Sequence, residues 1–454
     1  MGLAPGRYHM SDASKTLPTS ALDRFFRISA RHSTIRTEVV AGLTTFVTMA
    51  YIIFVVPAIM EKAGMPHDGA VAAALWSTAL CTIAMGVFAN YPVGLAPGMG
   101  LISFFAFYVC GTRGLTWQAG LGAVFISGVV FFILTVTKLR EMIINSVPMS
   151  LKSSIVVAIG MFITFIGLQS ANIVVDHPAT LVQLGTLDDP PVLLSCFGIL
   201  AIGVLMALKV RGAMLLGILL TAIVGMIVGI NPAPTKVSDV VSLQFAGMGD
   251  TFMQMDIMGA LNFGLMSIIF TFTVVELFDN IGTLIGVTRA AGLMDDKGHI
   301  EGIDRALMTD SLGTMVSAAM GTCTVTSYIE SSSGINAGGR TGLTAVVVGI
   351  CFLLAFVFTP LTSLIPGWAT APALIIVGAL MMSNVRYINF DDFTELLPCF
   401  LTVIMMPLTY SIANGFGFGF LSYCLLKLCT GRAREVKPIM WIISIVFMIS
   451  FTLH

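Results

Sequence analysis

The sequence predicts an all-α polytopic membrane protein that crosses the bilayer about fourteen times as a seven-plus-seven inverted repeat. Three observations carry this: a composition suited to lipid, apolar runs whose flanking loops sort by charge, and a weak internal echo between the two halves. Of 454 residues, 56% are apolar and 10% charged, with mean hydropathy +0.94, whereas a soluble domain carries about 25% charged residues. The net charge of -1 and pI of about 6.6 supply no basic field for nucleic acid.

Long apolar runs fall at 39–60, 69–90, 115–137, 152–170, 193–208, 213–230, 262–287, 341–360, 371–385, 396–413 and 415–429, with a further candidate at 438–453. Several approach the roughly 20 residues that a bilayer core demands. Three more, at 93–111, 306–320 and 322–337, are less apolar or broken by glycine, proline and serine. Cytoplasmic loops collect Lys and Arg. Starting inside and counting the broken runs as crossings leaves only Lys62, Arg113 and Lys236 outside, of 23 basic residues. Dropping the broken runs would put Lys138 and Arg140 outside, so those runs must cross or nearly cross. The segment 438–453 follows Arg432, Arg434 and Lys437 and is either a fifteenth span or an interfacial helix.

The expected organisation is therefore a cytoplasmic leader (1–38), a first repeat (39–230), an extracytoplasmic loop (231–261), a second repeat (262–430) and a basic, then apolar, C-terminal stretch (431–454). The polar, arginine-bearing leader has no cleavable-signal pattern. Residues before Met10 read as a vector-derived extension, because a second start-like Met-Ser-Asp follows. The setting is a cell (inner or plasma) membrane with the N-terminus in the cytoplasm.

The halves echo each other in order. Gly120–Gly128 (GLGAVFISG) resembles Gly342–Gly349 (GLTAVVVG). Pro148 precedes Gly160 at the spacing at which Pro366 precedes Gly378, and Cys196-Phe197 with Gly212 matches Cys399-Phe400 with Gly415. An odd number of spans per copy turns the second copy upside down, which places a solute site at the repeat interface near mid-membrane.

The third span contains Pro97, Gly98 and Gly100, and the tenth reads GTCTVTSYIESSSG from Gly321. Proline and glycine oppose a continuous helix, and the threonines favour an extended stretch that runs into a serine-rich helix start. Interrupted segments at corresponding places in two halves point to a transporter's binding site, where half-helix N-termini offer free N–H groups. Four carboxylates fall within predicted spans: Glu276, Asp279, Asp310 and Glu330. Holding a charge there costs at least about 2.5 kcal/mol, so each needs a partner, water or a proton. Asn280-Ile281-Gly282 marks a local weak point after Asp279, and Glu276 lies one turn from Asp279 on a similar face, where the two would influence each other's protonation. No Lys or Arg lies centrally in a span to pair with these acids, which suggests proton coupling.

All six histidines lie in polar stretches, and the eight cysteines show neither C-x-x-C spacing nor clustering with histidine. No nucleophilic centre, metal site or cofactor is expected, and the cysteines read as small packing residues. That counts against a membrane enzyme. A passive channel would line a continuous pore with its acids; paired interrupted spans favour a carrier.

Four strings carry a family resemblance: FVTMAYIIFV (Phe46–Val55), APGMGLISFF (Ala96–Phe105), LFDNIGTLIGV (Leu277–Val287) and TSYIESSSG with AGGRTGLTA (Thr326–Gly334, Ala337–Ala345). From about Arg36 to Arg432 the chain resembles the purine-permease, AzgA-like branch of the nucleobase:cation symporter (nucleobase/ascorbate transporter) family. The resemblance implies core and gate domains, with adenine, hypoxanthine or guanine held between the third and tenth spans and imported by proton symport through alternating access. It implies base contacts at Asp279, which precedes the x-I-G pattern, and at Glu330 on the tenth span, flanked by Ile329 and Ser331. On the third span it implicates Gly100, Ile102, Ser103 and Phe105. Asp279, Glu330 and Glu276 would couple protons, although Glu276 misses the pattern position. Ile102 departs from the branch, whose usual string carries asparagine there; Ser103 could replace that contact, and the choice of base stays open. A purine is planar, largely neutral and rich in ring N–H donors, which carboxylates accept. Phe104 or Phe105 could wall the ring, though aromatics on a helix more often pack. The partners implied are a purine base, protons and membrane lipid, with a homodimer one assembly open to such a chain.

Overall fold

The computed structural model describes residues 20–242, 247–262, 266–294 and 300–452. After the short α1 (Ala21–Phe26), the first half runs through α2 (Ile35–Met49), α3 (Ile52–Met60), α4 (His67–Ala84), α5 (Met99–Ser103) and α6 (Trp117–Val136), then α7 (Leu139–Ser146), α8 (Met149–Ser170), α9 (Pro190–Ala207) and α10 (Ala213–Val228). Two short helices, α11 (Met248–Thr251) and α12 (Ile257–Asn262), lead to the second half. That half comprises α13 (Met266–Ala290), α14 (Ile303–Met320), α15 (Ser331–Asn336), α16 (Gly342–Leu354), α17 (Pro360–Leu364), α18 (Gly367–Met381), α19 (Phe393–Leu408) and α20 (Ile412–Cys429), followed by α21 (Pro438–Thr452). Side-chain caps start several of them: Thr34, Thr116, Asp392 and Ser411 each accept a backbone N–H from the first turn, satisfying donors that lipid cannot. Among the described residues, 7 helical stretches are long and apolar enough to cross a membrane, and shorter apolar helices such as Met99–Thr112, Ala213–Val228 and Gly342–Phe358 accompany them. The chain is a multi-pass membrane protein.

The architecture is the expected seven-plus-seven inverted repeat, and equivalent elements make equivalent contacts. Helix α6 packs on α14, and its repeat counterpart α16 packs on α4. Within these pairs Gly128 lies against Thr314 and Met315, and Gly349 against Ala79 and Ile83. The glycines at matched spacing from Pro148 and Pro366 meet at the crossing of α8 and α18. A Cβ on Gly378 would stand 2.4 Å from the Gly160 carbonyl oxygen, and one on Gly160 would stand 3.0 Å from that of Gly378. Only residues without a Cβ permit that approach.

At the centre, β1 (Leu95–Pro97) and β4 (Val325–Ser327) form an antiparallel pair, with Ala96 opposite Thr326; the intervening β2 (Val174–His177) and β3 (Leu181–Leu184) make a hairpin between α8 and α9 that the sequence did not announce. Open strand edges are costly at membrane depth. Thr82 covers one edge: its hydroxyl accepts the Leu95 N–H at 2.9 Å and donates to the Leu95 carbonyl at 2.8 Å. Asn280 covers the other, accepting the Ser327 N–H at 2.9 Å. Beyond β1, α5 continues as a wider π-type helix, Phe104–Thr112.

Three expectations need correction. Helix α13 runs unbroken through Asn280-Ile281-Gly282, because the Asn280 side chain serves the strand and leaves its own helix intact. Glu276 and Asp279 do not share a face: Glu276 turns to α14, where Thr314 donates to it, while Asp279 faces a cavity. The intramembrane acids are also not without a cation nearby, since Arg140 of α7, outside any span, folds inward to 1% exposure against Phe131 of α6, the helix that packs on α13 and α14. The predicted 438–453 segment is helical over the described part and packs on α20 and α7.

Candidate functional site

The β1–β4 crossing forms one wall of a cavity of about 210 Å³. Gly98, Met99 and Gly100 enter from the third span, Thr326 to Glu330 from the tenth, Asp279 and Thr283 from α13, and Tyr51 from the α2–α3 junction. The facing wall comes from α8 (Val156, Ile159, Ile163) and from the end of α18 and the turn after it (Val377, Leu380, Met381, Ser383, Asn384). Repeat-related elements thus supply both walls. The volume lies below the roughly 300–1,000 Å³ of pockets for drug-sized ligands, which suits a smaller molecule.

The geometry follows from local sequence. Gly98 has no side chain because Thr326 occupies the space: a Cβ there would meet Thr326 Cγ2 at 2.9 Å. The Gly98 N–H donates to the Thr324 carbonyl at 3.0 Å, and the Tyr328 hydroxyl donates to the Pro97 carbonyl at 2.6 Å. Gly100 lets α5 approach α8, since a Cβ would stand 2.6 Å from Ile159 Cγ2.

Two carboxylates open onto this cavity. Glu330 precedes α15 and accepts a hydrogen bond from the Tyr51 hydroxyl at 2.9 Å; Asp279 sits one turn before Thr283 and lines the cavity together with Thr326. Ser327 lines the same cavity, and its buried Oγ has no hydrogen-bond partner among the described residues. The site therefore offers two acceptor side chains and a free hydroxyl between apolar walls, a set suited to a flat molecule with several N–H groups. A second cavity of about 310 Å³ shares Ile329, Glu330 and Leu380 with the first and extends past Thr48 and Ser333 to Lys209 and Arg211 in the α9–α10 turn. Ile329, Glu330 and Leu380 thus lie between the two cavities.

Of the residues expected from sequence, Asp279, Glu330, Gly100 and Ile329 line the central cavity. Ser331 instead ties the crossing stretches together, accepting the Gly94 N–H at 3.0 Å. Ser103 donates back to the Met99 carbonyl at 2.8 Å, and Ile102 and Phe105 are fully buried in the core; Phe105 fills the space above Gly120. These four do not line the cavity. Glu276 is buried behind it, on the α14 side of α13. Tyr51, Thr283, Thr326 and Tyr328 were not singled out, although Tyr51 lies in FVTMAYIIFV and the other three flank the two acids in sequence. Among the described residues, no group of three or more His, Cys, Asp or Glu side chains converges to hold a metal ion.

The matched family model, described as a permease family, covers residues 36–418. The chain is 42% identical to the adenine permease AdeP of Escherichia coli over 96% of this chain and 97% of that protein. It is 45% identical to the guanine/hypoxanthine permease PbuG of Bacillus subtilis over 94% of this chain and 98% of that one. A nucleobase transporter of Paenibacillus larvae, PlAzg2, is 34% identical over 86% of this chain and 77% of its own length. Among solved structures, the transmembrane domain of a cyanobacterium bicarbonate transporter, BicA, superposes with a TM-score of 0.61 at 14% identity, covering 87% of this chain and 97% of that one. Murine Solute Carrier 26 family member A9, in an inward-facing state, gives 0.57 at 9% identity, covering 93% and 73%. Those two likenesses speak for the fold alone. With the family model spanning most of its length, the chain belongs to the permease family of nucleobase/ascorbate transporters.

Proposed function

We propose that this protein is a secondary transporter that imports purine nucleobases by proton symport through alternating access. The observation that carries the reading is the pair Asp279 and Glu330 opening onto one cavity at the β1–β4 crossing. Both carboxylates accept N–H donors, and a neutral planar base presents such donors at its edges while its faces rest on Ile159, Ile163 and Leu380. Relatives named as adenine and as guanine/hypoxanthine permeases agree with a purine, and the differing names leave the preferred base to experiment. The N-terminus and the α9–α10 turn lie in the cytoplasm on the charge distribution of the loops. The cavity past Lys209 and Arg211 then lies on the release route. Asp279 and Glu330 carry the coupling proton alternately with the base, a role that needs a titratable group inside the bilayer.

The test is uptake of radiolabelled adenine, hypoxanthine and guanine by cells lacking their own purine permeases. Saturable accumulation of at least one base, abolished by a protonophore and indifferent to sodium, is expected. Accumulation that requires external sodium and ignores pH overturns the coupling, and failure to take up any purine overturns the substrate.

A further inference from the structure

Behind the cavity, on the far side of α13, lies a second polar cluster. Glu276 and Asp310 are fully buried, and Arg140 is 1% exposed. Each carboxylate has one oxygen engaged, Glu276 by the Thr314 hydroxyl and Asp310 by the Asn280 amide. The other oxygen of each, Glu276 Oε2 and Asp310 Oδ1, has no hydrogen-bond partner among the described residues, and neither do Nε, Nη1 and Nη2 of Arg140. The guanidinium lies 4.5 Å from the centre of the Phe131 ring of α6, a helix that packs on both α13 and α14, and α7 itself packs on α13, so Arg140 sits in the same buried layer as the two acids. A buried guanidinium beside two buried acids, with donors and acceptors on both sides left open, is an ion pair not made in this shape of the protein.

Resting on the proton-symport reading, we infer that Arg140 is the countercharge that the Glu276–Asp310 pair takes when it gives up a proton, and so a positioning residue for proton release. The carboxylic O–H bond breaks, the proton passes to water on the α7 side, and the carboxylate left behind pairs with the guanidinium. Rebinding a proton frees Arg140 to return to the Phe131 face. The other groups facing the cluster do not replace it. Helix α13 adds Asp279; Cys81 of α4 faces Asp310, and Cys323, with Cys110 beyond it, faces Glu276. Helix α6 presents no titratable side chain, and neither does α21. Lys427 of α20 is committed to Asp392 and Glu435. Asn280 connects the cluster to substrate, because the amide that donates to Asp310 also accepts the N–H of Ser327 in the cavity wall.

The experiment compares parent protein, Arg140→Gln and Arg140→Lys in proteoliposomes, measuring purine binding, purine exchange at equal pH and uphill accumulation against lumenal pH. Arg140→Gln is expected to bind and exchange purine like the parent. Its accumulation should be lost at neutral lumenal pH and regained only when the lumen is made about 1–3 pH units more alkaline, the range by which an adjacent opposite charge moves a carboxyl's titration. Arg140→Lys should restore most of the parent profile. Parental accumulation and pH profile in Arg140→Gln overturn the inference, as does equal loss of binding, exchange and accumulation in folded protein, which marks a merely structural role. If Arg140→Gln does not reach the membrane, the double variant Arg140→Gln/Asp310→Asn, which removes both charges, takes its place; it should exchange without accumulating, and parental accumulation overturns the idea. Failure of the parent itself to accumulate purine on a proton gradient speaks against the transport reading, not against Arg140.

Discussion

The side chain of Asn280 joins the strand that faces the cavity to a carboxylate buried behind it: Oδ1 accepts the Ser327 N–H at 2.9 Å, and Nδ2 donates to Asp310. Because an amide presents one acceptor and one donor end, these partners fix its orientation. Asn280→Ala leaves a strand N–H without its acceptor, at a cost of about 1–3 kcal/mol. Purine affinity should fall about tenfold, and Asn280→Asp, which keeps the acceptor for Ser327, should lose less. Equilibrium binding to purified protein checks this; equal losses in both variants would show that the bond to Asp310 dominates.

The Tyr51 hydroxyl is the only side-chain donor seen on the Glu330 carboxylate among the described residues, at 2.9 Å. It holds one carboxylate oxygen and leaves the other for a ligand. Hydrogen bonds to charged groups are worth about 1.5–3 kcal/mol, and part of that survives through reorientation. Tyr51→Phe is expected to raise the purine Kd about three- to tenfold while leaving the amount of folded protein unchanged. An unaltered Kd by calorimetry would remove Tyr51 from the site.

Much of this was legible in the sequence, because lipid simplifies the rules. Apolar runs and loop charge set the spans, and proline, glycine and threonine in spans three and ten foretold extended backbone. The extended pair, Leu95–Pro97 and Val325–Ser327, lies in those two broken spans. Side-chain direction was not legible. Ile102, Ser103, Phe105 and Ser331 occupy the right segments, yet Ile102 and Phe105 turn into the core and the two serines bond backbone groups, which nothing in the local pattern shows. Arg140 escaped notice because it lies outside the spans by sequence, and only folding of α7 against the bundle brings it to the acids. Asn280 read as a helix weak point because nothing local shows that a strand edge needs its amide.

Gly378 sits where the two halves touch, and a methyl group there would lie 1.9 Å from Thr164 Oγ1 and 2.4 Å from the Gly160 carbonyl oxygen. The side chain can rotate away, but the carbonyl belongs to the backbone of α8 and cannot. Overpacking a tight crossing typically costs about 1–3 kcal/mol. Gly378→Ala should lower the melting temperature of detergent-solubilised protein by several degrees, roughly in proportion to that cost. Gly367→Ala, where a Cβ meets nothing within 4 Å, is the control and should melt like the parent.

The four intramembrane acids should separate into two classes by what their neutral isosteres do to binding. Asp279 and Glu330 face the cavity, so Asp279→Asn and Glu330→Gln replace a charged acceptor by a neutral amide at the point of contact. Losing a charge-assisted hydrogen bond worth about 1.5–3 kcal/mol weakens purine binding about ten- to a hundredfold, and accumulation should vanish while folded protein stays in the membrane. Glu276 and Asp310 are fully buried behind α13, bonded to Thr314 and Asn280. Glu276→Gln and Asp310→Asn therefore leave the contact surface intact and should keep purine affinity within about threefold, while slowing or uncoupling accumulation. Loss of transport alone cannot distinguish the classes, so the deciding measurement is equilibrium binding set beside uphill uptake for all four. Parental binding in the Asp279 and Glu330 variants, together with lost binding in the Glu276 or Asp310 variants, would move the site to the other face of α13.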